Sequence, residues 1–286
     1  MSAVALALVL AAAIAHAAWN LFAKRVGGGS AFLWLFTILS AIIYAPLAVT
    51  WLVIQRPAFS REAILFIGGS GALHLGYFSL LQRGYRTGDL SLVYPLARGT
   101  GPVLATIAAI LIFGERPAPI AVAGGLLIGI GVFVIASGPR QTADQGRGSA
   151  IGFALLTGLL IAAYTLWDAH AVGALDVPPV LMYWGTSLVM TLLLTPVALR
   201  QRAVVGHHWQ QHRREAIGVA VLSPVSYILV LSALRLAPVS YVAPAREVSI
   251  LFGAVIGSRW LAERDTPRRF AAASCMVAGI VALAIG

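Results

Sequence analysis

The sequence predicts an all-α integral membrane protein in which ten transmembrane helices form two inverted five-helix repeats around a central cavity. Three observations lead to this fold class: the composition, the spacing of the apolar segments and an internal repeat. Of the 286 residues, 59% are hydrophobic and 10% are charged, whereas a soluble domain carries roughly 25% charged residues. Because so few charges cannot cover a surface that faces water, we expect the outer surface to face lipid.

Ten apolar segments follow one another along the chain, each bounded by charged residues, proline or clusters of glycine. Their lengths fit the roughly 17–25 residues that a hydrocarbon core requires, and a helix bonds its own backbone within lipid. The predicted spans cover residues 2–23, 31–54, 63–84, 89–113, 118–137, 149–170, 178–199, 215–235, 239–261 and 269–286. The first segment contains an Ala-x-Ala pattern, but no Lys or Arg precedes it, so we interpret it as a span and not as a signal peptide.

The second half of the chain repeats the first. A polar connector separates five spans from five, so we predict a first repeat at 1–138, a linker at 139–148 and a second repeat at 149–286. At a near-constant offset, Arg86 pairs with Arg235, Ser91 with Ser240, Val93 with Val242, Pro95 with Pro244, Arg98 with Arg246, Glu115 with Glu263 and Arg116 with Arg264. An odd number of spans per repeat inverts the second copy, and inverted repeats with a solute site at their interface are characteristic of secondary transporters.

Two arginines lie deep inside predicted spans, at equivalent positions of the two repeats. Arg98 follows Asp89 by nine residues, which places it roughly 13 Å along its helix. Arg246 is followed by Glu247, and Gly99 stands at the position that matches Glu247. Guanidinium groups bind carboxylates or phosphoryl oxygens, so we predict that the two arginines hold an anionic solute. The alternative is a structural ion pair of Arg246 with Glu247, whose own role is either proton coupling or that of a resting counter-ion.

Polar and aromatic side chains in other spans are candidates for the remaining wall of the cavity. A mixture of aromatic, amide and imidazole groups suits a partly hydrated binding site, although the same groups also anchor spans or join helices. These candidates are His16, Trp19, Asn20, His74, Tyr77, Tyr94, Tyr164, Trp167 and Tyr241. Glu115 and Glu263 end their spans next to arginines in both repeats, so we expect them to have a structural role at helix ends.

Other function classes find less support in the sequence. Ser70 in a Gly-x-Ser-Gly pattern and His170 resemble the serine–histidine dyad of rhomboid proteases, which leaves an intramembrane protease as one alternative and a non-transporting scaffold as another. We predict no catalytic residue, no cofactor and no metal site, because nucleotide-binding and metal-binding motifs are absent and Cys275 is the one cysteine. The basic residues are scattered singly or in short pairs, so the net charge of +10 does not indicate nucleic acid.

With these features in place, the chain resembles the drug/metabolite transporter superfamily of the EamA type over essentially its whole length. The resemblance lies in the five-plus-five layout, in the Ala-Ala-Trp19-Asn20 segment, and in Glu115-Arg116 and Glu263-Arg264, which look like the family's Gly-Glu-Arg ending. Ala262 replaces the glycine in the second copy. The resemblance implies ten helices around a central cavity, with spans five and ten at the periphery.

The same resemblance implies export or exchange of amino acids and related metabolites without ATP. We therefore expect a small-molecule substrate, a lipid bilayer (a bacterial inner membrane) as the surroundings, and a monomer or a homodimer. That the substrate bears a carboxylate or phosphonate is predicted by Arg98 and Arg246 of this sequence and not by the resemblance. Lys and Arg are concentrated in the connectors after odd-numbered spans, which places both termini outside the cytoplasm. The resemblance implies the opposite orientation, so the orientation stays open.

Overall fold

The structure, a computed structural model, describes residues 1–57, 59–87, 90–136, 147–252 and 266–286. Within these ranges the regular secondary structure is helical, which confirms the predicted all-α class. The helices are α1 (Ala3–Val26), α2 (Ser30–Gln55), α3 (Arg61–Thr87), α4 (Leu90–Ile112), α5 (Pro119–Ala136), α6 (Arg147–Gly173), α7 (Pro179–Arg200), α8 (Arg202–Leu234), α9 (Val239–Arg246) and α10 (Thr266–Ile285).

Six of these helices are long and apolar enough to cross a membrane: α1, α2, α3, α6, α7 and α8. Shorter apolar stretches lie in the remaining long helices, at Leu96–Ile112, Pro119–Val134 and Ala271–Ile285. Large apolar side chains point outward, and Leu111, Ile112 and Leu192 are each at least 71% exposed. The side chains of four acidic and basic residues, by contrast, are buried in the interior: Arg98, Asp168, Arg246 and Glu247. This distribution is what a lipid solvent favours, and the chain is a multi-pass membrane protein.

The ends of the first helix follow from local chemistry. The hydroxyl oxygen of Ser2 accepts a hydrogen bond of 3.2 Å from the backbone N–H of Ala5, which caps a helix start that would otherwise leave the donor without a partner. The helix ends at Gly27, whose φ of 79° lies in the left-handed region. Glycine adopts this backbone conformation at little cost in free energy. The connector to α2 is therefore short, and the two helices are antiparallel neighbours along the chain.

Two helices differ from their predicted spans. α8 begins at Arg202, well before the predicted start at 215, and bends at His212, where φ is −130°. The added segment is helical because its apolar side packs on α2, as shown by Val205, which joins the cluster around Phe32. α9 ends at Arg246, where Glu247 begins a turn closed by the backbone bond from Ile250 N–H to the Glu247 carbonyl at 2.9 Å.

Helix packing between the two halves of the chain is largely unchanged when each helix is exchanged for the one five places along the chain. The pair α1–α8 has its counterpart in α3–α6, the pair α2–α8 in α3–α7, and the pair α4–α6 in α1–α9. The pairs α2–α7, α4–α9 and α5–α10 are their own counterparts. All of these pairs join one half of the chain to the other, whereas α4–α5 and α7–α8 pack within one half.

α5 and α10 pack chiefly on each other. A Cβ atom on Gly124 would lie 2.6 Å from the carbonyl oxygen of Gly279, so the two backbones touch there. Such close approach is typical of small residues in membrane helices. The glycines of spans five and ten, which also suit contacts between protomers, thus pack against each other within one chain.

Glu115, in the connector between α4 and α5, is hydrogen-bonded to the start of α9. Its two carboxylate oxygens accept hydrogen bonds from the backbone N–H groups of Val239 at 2.8 Å and Ser240 at 2.9 Å. The first N–H groups of a helix have no partner inside the helix, and a negative charge there is favourable. Glu115 therefore caps α9, the helix that carries Arg246. Glu263, its repeat equivalent, lies outside the described residues.

We expect Glu115→Ala to lower the free energy of unfolding by about 1–2 kcal/mol, the range measured for the loss of a helix cap. Glu115→Gln retains one accepting oxygen and should lose less. Unfolding of the purified protein by titration with a denaturing detergent measures both. Glu62→Ala, which removes an exposed acid from the first turn of α3, is the matched control, and equal losses in Glu62→Ala and Glu115→Ala would contradict the capping role.

Candidate functional site

Arg98, Arg246 and Glu247 form a buried ionic triad where α4 meets α9. The Nε atom of Arg98 lies 2.9 Å from Oε2 of Glu247, and the Nε atom of Arg246 lies 3.7 Å from Oε1. All three side chains are at most 6% exposed. Arg98 also donates from Nη2 to the hydroxyl of Ser249 at 3.4 Å. The two arginines, which the sequence predicted at equivalent positions of the two repeats, thus share one carboxylate.

The break in α9 places Glu247 between the two arginines. Glu247 follows the last residue of α9, and its backbone N–H bonds to the carbonyl of Pro244 at 3.0 Å in place of a full helical turn. Gly99 occupies the equivalent position in the first repeat, where a Cβ atom would lie 2.8 Å from the ring of Phe133. A side chain at Gly99 would displace this ring, and no acid stands there, so the triad carries two positive charges and one negative charge.

A central cavity opens beside the triad, with about 180 Å³ of space for the centres of water molecules. One water needs roughly 10–15 Å³ on this measure, so the cavity has room for a small solute. Seven predicted residues border it: His16, Trp19, His74, Tyr77, Arg98, Tyr164 and Arg246. The wall thus holds aromatic, imidazole and guanidinium groups, whereas Asn20, the amide of the predicted mixture, does not border the cavity.

Tyr164 connects the arginines to the aromatic wall. The guanidinium carbon of Arg246 lies 5.8 Å from the centre of the Tyr164 ring, within the range of a cation–π interaction. The ring of His74 stacks on Tyr164 at 4.1 Å between centroids, and Tyr77 meets Tyr164 edge-on at 5.7 Å. Atom Nη2 of Arg246 is buried and has no hydrogen-bond partner among the described residues.

Behind this wall lies a second polar cluster, centred on Asp168. The hydroxyl of Tyr227 donates to Oδ2 of Asp168 at 2.5 Å, and Nε2 of His74 lies 4.0 Å from the same oxygen. Nδ1 of His74 lies 2.9 Å from the backbone carbonyl of Ser70, one helical turn earlier in α3. Asp168 is fully buried, while His74 and Tyr227 both reach the cavity.

Three predicted residues point elsewhere. Asn20 donates from Nδ2 to the carbonyl of His16 at 2.7 Å and does not border the cavity. Trp167 donates from Nε1 to the carbonyl of Phe66 at 2.7 Å and lines an apolar groove between α3, α4 and α6. Tyr241 donates to the carbonyl of Gly286 at 3.2 Å, near the start of α5. The side chain of Tyr94 lies outside the described part of the structure.

Sequence reasoning missed several residues that border the cavity. They are hydroxyl-bearing residues of α7 and α8: Tyr183, Thr186, Ser187, Ser223, Ser226 and Tyr227. They are scattered singly through apolar spans without charge or motif. The one available signal is position, since α7 and α8 are the repeat equivalents of α2 and α3, and α3 supplies His74.

The serine–histidine dyad does not form. The Ser70 hydroxyl lies 3.3 Å from Nδ1 of His74 and accepts a hydrogen bond from Thr186 at 3.1 Å. His170 stacks on Phe66 at 5.0 Å between centroids and borders the apolar groove. Ser70 is fully buried. The two residues of the protease alternative therefore have different partners, and that alternative loses its geometric basis.

A lateral cleft lies on the other side of the triad. It has about 150 Å³ of space for water centres, and apolar residues of α4 and α5 form most of its wall. Arg98 borders both the cavity and this cleft, whereas Glu247 borders the cleft alone. Glu247 thus approaches the arginines from the side away from the cavity.

Among the described residues, no group of three or more His, Cys, Asp or Glu side chains could hold a metal ion.

Comparison with known proteins gives one family and one fold. The model of the EamA-like transporter family matches residues 3–137 and again residues 148–285. No curated protein matches the chain. One solved crystal structure superimposes with a TM-score of 0.76 at 14% sequence identity, over 100% of this chain and 98% of the other. At that identity the likeness concerns the fold.

Proposed function

Because the chain belongs to the EamA-like transporter family, we propose that it is a secondary transporter that exports or exchanges small anionic or zwitterionic metabolites. Amino acids and organic acids or phosphonates form the solute class. The observation that carries this proposal is the ionic triad beside the cavity. Two guanidinium charges against one carboxylate leave one net positive charge next to the cavity. A buried charge without an equal counter-charge is costly, and an anionic solute would remove that cost.

The wall of the cavity supports the same solute class. Aromatic rings of Trp19, Tyr77 and Tyr164 surround the space next to the arginines. Such rings cover the apolar part of a solute while a few polar groups fix its orientation. In this arrangement Arg246 binds the carboxylate or phosphonate, because its buried Nη2 atom has no hydrogen-bond partner among the described residues.

Glu247 acts in this proposal as the resting counter-ion. It contacts both arginines from the side of the lateral cleft, so a solute in the cavity approaches the opposite edge of the guanidinium groups. The contacts of Glu247 with both guanidinium groups favour the counter-ion role over proton coupling, the other role that the sequence left open.

Alternating access between two inverted repeats would move the solute. The support is the helix packing between the two halves, which is largely unchanged when α1–α5 are exchanged with α6–α10. Such an exchange is expected for two inverted copies that rock about a site at their interface. The proposal includes ten membrane crossings, repeats at 1–138 and 149–286, and a bacterial inner membrane as the location.

Uptake into liposomes tests the proposal. The full chain is reconstituted, and labelled L-alanine, L-phenylalanine, succinate and methylphosphonate are offered outside, with and without the same solute inside. We expect at least one panel solute to enter faster when unlabelled solute is trapped inside, the signature of an exchanging carrier. Choline, a permanent cation, should not enter. Absence of exchange for every panel solute, or equal uptake of choline, would contradict the proposed function.

A further inference from the structure

Asp168 is a buried acid that the triad does not use. Among the described residues the buried carboxyl groups are Asp168 and Glu247. Glu247 has two guanidinium partners, whereas the basic group that the described residues place within 4.0 Å of Asp168 is His74. A carboxylate inside a membrane protein is costly without a strong counter-charge. We therefore expect Asp168 to have a role in which its carboxyl group changes its charge.

The geometry around Asp168 suits proton exchange. Tyr227 donates to Oδ2 at 2.5 Å, and Oδ1 is buried without a hydrogen-bond partner among the described residues. A small rotation of the His74 ring would bring Nε2 from 4.0 Å to hydrogen-bond distance. Both His74 and Tyr227 border the cavity. A proton can thus pass from cavity water through a side chain to an acid that no solvent touches.

We propose that Asp168 is the proton-binding site of this transporter, with His74 as the group that exchanges protons with the cavity. The inference rests on the proposed transport function. In each cycle the Asp168 carboxylate takes up one proton from one side of the membrane and becomes a neutral acid. The proton leaves to the other side when the cavity has changed its exposure, so no other reactant is consumed.

The charged and titratable groups that face Asp168 come from several helices. On α3 the facing group is His74, on α8 it is Tyr227, and on α9 it is Arg246. On α7, Tyr183 lies behind Tyr227 at 6.2 Å between ring centroids, and on α4 the charged group is Arg98, which pairs with Glu247. Asp168 is thus the acid on the aromatic side of the cavity, and Glu247 the acid on the arginine side.

Protonation of Asp168 changes the charge that the solute meets. With Asp168 ionised, the two buried acids equal the two arginines in charge, so Asp168 offsets part of the positive charge of the triad from a distance. With Asp168 protonated, this offset is lost. An anionic group binds more tightly in the second state, and by reciprocity the bound anion favours the proton. The solute and the proton would thus bind together and leave together, and the sum of their two gradients would set whether the solute is exported or taken up.

Infrared difference spectra of the reconstituted chain, recorded as the pH is lowered, test the proton site without any solute. A buried protonated acid gives a C=O stretching band that carboxylates lack. We expect this band in the wild type and in Asp176→Asn, which removes an exposed acid that pairs with Arg235, and we expect its loss in Asp168→Asn. Tyr227→Phe should keep the band and move it to higher wavenumber, because the carbonyl oxygen loses a hydrogen-bond donor.

Transport of a panel solute supplies the second measurement. We expect Asp168→Asn, which holds this position neutral, to retain exchange and to accumulate at least tenfold less solute than the wild type when a pH gradient is imposed. Three results would each overturn the proton site. The infrared band could persist in Asp168→Asn, it could be absent from the wild type, or pH-driven accumulation could survive in Asp168→Asn. Asp168→Glu, which restores an acid, guards against a folding defect. Absence of all exchange in the wild type contradicts the transport function, while the infrared result still decides the proton site.

Discussion

Arg246→Met is expected to reduce uptake of the transported panel solute by about 100-fold. Loss of one partner from a buried, hydrogen-bonded charge pair costs roughly 2–5 kcal/mol, and each 1.4 kcal/mol corresponds to a factor of ten. Methionine keeps much of the length of the side chain and removes the charge. The remaining Arg98 and Glu247 lie 2.9 Å apart and balance each other, so no net positive charge would remain for the anion.

The same balance makes the variant a fair test of function, because it leaves the buried pair intact. We expect Arg246→Met to fold with stability close to that of the wild type. Arg246→Lys should retain part of the uptake, since an ammonium group keeps the charge but not the planar fork. Arg235→Met is the matched control, because Arg235 pairs with Asp176 at an exposed site away from the cavity. Wild-type uptake by Arg246→Met would remove the anion site from the mechanism.

Glu247→Gln is expected to lower the free energy of unfolding by about 3–5 kcal/mol, the loss typical of removing one partner from a buried ion pair. Two guanidinium groups at one site would then have no counter-charge. An anion in the cavity should replace the missing carboxylate, so saturating amounts of the transported solute should stabilise Glu247→Gln more than they stabilise the wild type. Thermal unfolding in detergent, with and without the solute, measures both effects.

Asp176→Asn provides the comparison for Glu247→Gln, because Asp176 also pairs with an arginine but has a side chain that is 78% exposed. Exposed ion pairs contribute about 0–1 kcal/mol, so we expect little change. If Glu247→Gln were as stable as the wild type, the triad would not need its carboxylate. If the solute stabilised Glu247→Gln and the wild type equally, the Glu247 carboxylate would not occupy the role that the anionic group of the solute takes over.

The sequence predicted the depth of Arg98 and Arg246 because the rise per residue of a helix is constant, and the repeat placed both at the same level. It could not predict that one carboxylate lies between them. That contact depends on the turn at Glu247 and on Phe133, which closes the equivalent position at Gly99. Side-chain direction within a wall of similar residues is set by packing, so the sequence also could not separate Tyr164, at the cavity, from Trp167 and Tyr241, which lie outside it.

Asp168 is a second residue whose contacts the sequence could not predict. In the sequence Asp168 follows Trp167 within an apolar span, and nothing there distinguishes it from a residue that faces a connector. Its partners Tyr227 and His74 come from α8 and α3, and each is a single polar residue in an apolar span. Contacts between residues so far apart in sequence arise when the two halves of the chain pack together.

By itself the sequence determined that the chain is helical and lies in a lipid bilayer, because hydrophobic composition and segment length depend directly on the surrounding solvent. The repeat determined which residues occupy equivalent positions. The tertiary structure decided which of those residues share a cavity, because a hydrogen bond or ion pair forms only within about 3–4 Å. The rotation of each helix about its axis, set by packing against its neighbours, decides which side chains reach that distance.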